Sequence, residues 1–60
     1  MHASDITTYA RALYTAHGDR AEYEAQQRRL QAEQDGATDR AESWRKIRLT
    51  IREMRGASAS

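Results

Sequence analysis

Trp44, Ile47, Ile51 and Met54 recur at intervals of three, four and three residues near the end of this 60-residue chain. At 3.6 residues per turn, that spacing sets four large apolar side chains on one face of a helix. Arg45, Lys46, Arg48, Arg52 and Arg55 cover much of the remaining surface of the same turns. Two heptads of apolar seam cannot hold a helix alone in water, so the stripe must pack against something. The segment therefore dictates helical packing and carries no chemistry of its own.

The supply of partners for that stripe is small. Beyond Met1, the large apolar side chains are Ile6, Tyr9, Leu13, Tyr14, Tyr23, Leu30, Trp44, Ile47, Leu49, Ile51 and Met54. That set is thin for a monomer and adequate for a dimer that shares its core, because short chains bury a small fraction of their surface. Cysteine is absent, so neither a disulfide nor a thiolate ligand adds to it. A mean hydropathy of −1.01 would also suit a disordered chain. The periodic placement of the apolar residues and the absence of proline argue for helices instead.

Gly18 and Gly36 divide the chain into three expected helices, at about 5–16, 19–35 and 39–55, with 56–60 a flexible tail. The first is expected to be capped by Ser4 or Asp5, with Ile6, Tyr9, Ala10 and Leu13 on one face. His17, just before Gly18, suits the negative end of a helix. The second and third helices both open on Asp-Arg-Ala-Glu, at 19–22 and 39–42, a spacing that predicts capping boxes of Asp19 with Glu22 and Asp39 with Glu42. The pairs Glu24–Arg28 and Glu42–Lys46 have the favourable i to i+4 order. In the second helix Ala21, Ala25 and Ala32 line one side, while Tyr23 and Leu30 point nearly the opposite way. That alanine face either lets a neighbour approach closely or is a lightly buried surface of a good helix former. The core is expected from the large side chains of the first and third helices, with Ala25 and one of Tyr23 or Leu30 added by the second.

Formal charge is +1, but it is unevenly spread. Residues 19–35 hold Asp19, Glu22, Glu24, Glu33 and Asp35 against three arginines, and residues 45–55 hold five bases against Glu53 alone. Segments of opposite sign fit antiparallel packing within the chain or between copies. A basic last helix is also how several DNA-reading domains are built, which makes Arg45, Arg48 and Arg52 candidate phosphate contacts. Against that reading stand the near-neutral total, the acids of the second helix, and Asp35 and Asp39 at the turn.

Signs of catalysis are lacking. His2 and His17 are the sole histidines, and there is no HExxH, phosphate-binding glycine loop or nucleophile elbow. His17 has no second ligand at a metal-binding spacing, and a chain this short offers no obvious enclosed pocket for a small-molecule substrate. No enzyme activity, cofactor or metal is expected. No apolar run is long enough to span a bilayer, and the start of the chain carries Asp5 and no basic-then-apolar leader, so a cytoplasmic location is the expectation.

The run His17-Gly18-Asp19-Arg20-Ala21, the turn at Gly36 and the later Trp44-Arg45-Lys46-Ile47 resemble a class of short uncharacterised helical proteobacterial proteins. These share an HGD-x-A segment and a later W-R-x-I segment; here Asp35 precedes Gly36 at the second turn, where the class has the aspartate after the glycine. The resemblance would span about residues 9–55. It implies a small bacterial cytoplasmic protein, with His17 to Ala21 a junction between two helices, and implies no activity. The expectation is thus an all-α, three-helix domain sharing its core in a homodimer and acting as a protein-protein interaction or accessory protein. Trp44, Ile47, Ile51 and Met54 are its expected packing or interface residues, and Tyr14, Tyr23 and Leu30 its outward anchors.

Overall fold

The computed structural model describes residues 3–59, with side-chain burial defined for residues 5–56. Three helices follow one another: α1 (Ala3–His17), α2 (Arg20–Gln34) and α3 (Thr38–Ala59). The whole measures 37 × 21 × 17 Å. Among the described residues there is no strand.

Both glycines end helices by taking positive φ, +61° at Gly18 and +74° at Gly36, a region that costs other residues Cβ strain. Gly18 donates its N–H to the Tyr14 carbonyl at 2.8 Å, the single bond of an αL stop. Gly36 donates to Glu33 and Ala37 donates to Ala32, the paired bonds of a Schellman motif. Nothing lies within 4 Å of where a Cβ would sit on either glycine, so backbone conformation alone selects the residue.

Helix starts differ from expectation. Asp19 sits in the αR region and makes no side-chain capping bond, so the box with Glu22 does not form. Both acids turn to Arg55 of α3 instead: Arg55 Nε lies 3.6 Å from Asp19 Oδ1, and Arg55 Nη1 donates to Glu22 Oε2 at 3.3 Å. The backbone accounts for the missing cap: Asp19 lies in the αR region where a capping residue is normally extended, and the Ala21 N–H donates to the Gly18 carbonyl at 3.0 Å. α1 begins at Ala3, which places Ser4 and Asp5 inside its first turn; Asp39 likewise falls inside the first turn of α3. α3 also runs through Gly56 to Ala59 where a flexible tail was expected. A helical glycine costs about 1 kcal/mol against alanine, and the two alanines of the last turn favour continuing the helix.

The short turn at 35–37 folds α3 back antiparallel to α2, which brings Arg55, late in α3, against the start of α2. These two helices form the most extensive interface, and α1 packs across the pair. At the centre lie Ile6 and Ala10 of α1, Ala21 and Ala25 of α2, and Ile47 and Ile51 of α3. Leu13, Tyr14, Trp44 and Met54 pack around them, partly buried. Ala32 and Ala41 are buried as well, near the α2–α3 turn. The alanine face of α2 is therefore a close-approach surface. Neither Tyr23 nor Leu30 joins the core, because both stand on the opposite side of α2 from those alanines.

Ile47 and Ile51 are the largest fully buried side chains. Ile51→Ala is therefore expected to cost about 2–4 kcal/mol, and Gly36→Ala about 1–2 kcal/mol through strain alone, both read from urea unfolding followed by circular dichroism.

Candidate functional site

Three surface features result from this packing. The first is an open groove of about 770 Å³ lined by Tyr14, Asp19, Glu22, Arg48, Arg52, Arg55 and Gly56. Arg48, Arg52 and Arg55 reach it together because steps of four and three keep them on one flank of α3. Arg55 is committed to Asp19 and Glu22. No hydrogen bond or ion pair holds Arg48 or Arg52 among the described residues. Glu22 Oε1 is buried without a hydrogen-bond partner, so this groove mixes free cations with an unsatisfied carboxylate oxygen. Arg45, one turn earlier on the same flank of α3, is not among the lining residues and lies 3.8 Å from Glu42. Glu42 thereby engages Arg45 where an i to i+4 pair with Lys46 was expected.

A second groove, of about 430 Å³, runs between α1 and α2 over Trp44 of α3. Tyr9 meets the indole edge-on, with centroids 5.5 Å apart and planes at 85°, as the ring quadrupoles favour. The Arg28 guanidinium lies 5.8 Å from the indole centroid, a cation–π contact. Arg28 is drawn there instead of to Glu24, whose Oε1 lies 3.4 Å from His17 Nδ1. His17 thus ties the end of α1 to α2 at the junction. Trp44 is only partly buried, since its indole extends from α3 to the surface between the other two helices.

The third feature is the outer ridge of α2. Tyr23 is 64% exposed and Leu30 37%, while Tyr14, expected outside, packs against the core. Between and beside the exposed pair stand Gln26, Gln27 and Gln34. The charged residues of α2 fall to either side, and most are engaged within the chain: Glu22 with Arg55, Glu24 with His17, and Arg29 with Glu33. Tyr9 and Leu49 are further exposed large side chains, on α1 and α3. Leu49 and the neutral α2 ridge were legible as sequence positions; their exposure was decided by how α2 and α3 pack.

Among the described residues, no three His, Asp or Glu side chains gather as metal ligands. No helix is long and apolar enough to cross a membrane. No family model matches the chain, and no curated protein or solved structure matches it at a significant level.

Two substitutions test these contacts. Trp44→Ala should cost about 2–3 kcal/mol in urea unfolding, less than a fully enclosed indole, because part of its surface already meets water. Arg55→Ala should cost roughly 1 kcal/mol, and less in a Glu22→Gln background, since that variant removes the carboxylate left without its cation.

Proposed function

We infer that this chain is a small, non-enzymatic protein-protein interaction or accessory protein that acts by non-covalent contact through its helix faces, in the simplest case with a second copy of itself. Support comes chiefly from one observation: the buried core is mostly alanine, while Tyr9, Tyr23, Leu30 and Leu49 are left at the surface. The folded chain of 6.9 kDa exposes 4357 Å², somewhat more than the roughly 4,000 Å² expected of a compact monomer of that mass. A domain this small gains proportionally from covering such side chains, because each large apolar group removed from water is worth about 1.5–3 kcal/mol. The features noted for a bacterial cytoplasmic protein fit this reading.

A nucleic-acid role is the alternative, favoured by Arg48 and Arg52 lying unpaired in one groove. Asp19 and Glu22 line the same groove, and their negative charge weakens the positive field there. Sedimentation at several concentrations, with titration of duplex DNA and RNA at low and high salt, separates the two. Reversible self-association without nucleic-acid binding is the expected result. A strict monomer that binds nucleic acid with a steep salt dependence would replace the interaction reading with the alternative.

A further inference from the structure

We propose that the groove between α1 and α2 is a binding site for a small aromatic carboxylate, a planar apolar ring with one anionic group, held on Trp44 and Arg28. Such a site goes beyond contact through helix faces and does not depend on self-association. At about 430 Å³ the groove lies within the range of roughly 300–1,000 Å³ usual for small-ligand clefts. All three helices contribute to it: Tyr9, Leu13 and His17 from α1, Glu24 and Arg28 from α2, and Trp44 from α3. It therefore has the two parts that such clefts combine, an apolar wall and a few polar groups.

The apolar wall is incompletely covered. Trp44 and Leu13 are only partly buried, and Tyr9 is 45% exposed although its ring meets the indole edge-on. A ring laid against them removes apolar surface from water and gains aromatic contacts. The charge of the ligand follows from Arg28. Its guanidinium lies 5.8 Å from the indole centroid, and among the described residues no carboxylate pairs with it. Glu24, one turn before it on α2, is drawn to His17 at the junction instead. A guanidinium donates its hydrogen bonds in its own plane, so contact through its face leaves them free for a carboxylate. A cationic ligand finds the place over the indole already taken by a like charge. The larger groove has no such arrangement, because Asp19 and Glu22 stand beside its arginines.

Trp44 is the one tryptophan of the chain, so its indole N–H gives a single NMR signal from inside the groove. The test titrates isotope-labelled protein with indoleacetate, with its neutral amide and with the cation tryptamine, which share one ring system. Acetate, which has the charge and no ring, is the fourth probe. The expected result is saturable shifts at the Trp44 indole and at the Tyr9 and Gln27 amides, with Kd for indoleacetate of about 1 mM or tighter. The amide should bind about fivefold or more weakly than the acid, tryptamine more weakly again, and acetate not at all at the same concentrations. Arg28→Gln, at an exposed position whose fold circular dichroism would check, should remove the advantage of the acid and leave amide binding nearly unchanged. No saturable shift with any probe overturns the site. Equal binding of acid and amide, or an equal loss of both in Arg28→Gln, overturns Arg28 as the carboxylate's partner and the ligand class with it. Shifts centred on Tyr23 or Leu49 overturn the groove as the place where the ring binds. Sedimentation of the unliganded chain tests self-association separately, and a strict monomer there leaves these titrations unaffected.

Discussion

The close approach of α2 to α3 through alanine is the contact on which the other features of this protein depend. Ala21, Ala25, Ala32 and Ala41 have almost no side chain to separate the helix axes, and Ile47 and Ile51 fill the space that remains. Close packing of this kind is dense, but each alanine removes little apolar surface from water. The large side chains must then find other places. Tyr23 and Leu30 are carried to the far side of α2, and the Trp44 indole is directed into the seam between α1 and α2, where Tyr9 and Arg28 meet it. A helix two with a leucine-rich inner face would have a larger core and a plainer surface.

Electrostatics follow from the same arrangement. Antiparallel packing brings the basic end of α3 beside the acidic start of α2, so Arg55 takes both Asp19 and Glu22. These exposed or half-exposed pairs contribute little to stability individually. Their larger effect is on what the surface can recognise: they consume much of the charge that a phosphate-binding face would need. On the outer side of α2, Tyr23 and Leu30 are left exposed.

Much of the fold was legible because local rules and tertiary packing agreed. Gly18 and Gly36 end helices for a reason internal to the backbone, and the three-four-three spacing of Trp44, Ile47, Ile51 and Met54 fits its helix wherever that helix docks. The capping box at Asp19 was misleading. Its motif states what those side chains can do locally, while the tight turn after Gly18 holds Asp19 in the αR region and satisfies the Ala21 amide from the Gly18 carbonyl, leaving both acids free to meet Arg55. The i to i+4 pair Glu24–Arg28 gave way to contacts with other helices, at His17 and Trp44, while Glu42 took its i+3 neighbour Arg45 in place of Lys46. The candidate site was less legible, since exposure belongs to the assembled molecule.

The chain by itself determined three helices, their glycine-marked junctions and the apolar seam of the last one. These depend on φ at glycine and on a period of 3.6, both properties of a few consecutive residues. Tertiary structure alone decided that the alanine side of α2 would be buried, that Tyr23 and Leu30 would remain outside, and that Trp44 would be only half enclosed. The physical reason is that an amphipathic face states which side of a helix prefers to leave water, whereas its neighbour determines how closely it is approached. In α2 the small side offered closeness and the large side offered area, and packing against Ile47 and Ile51 selected closeness.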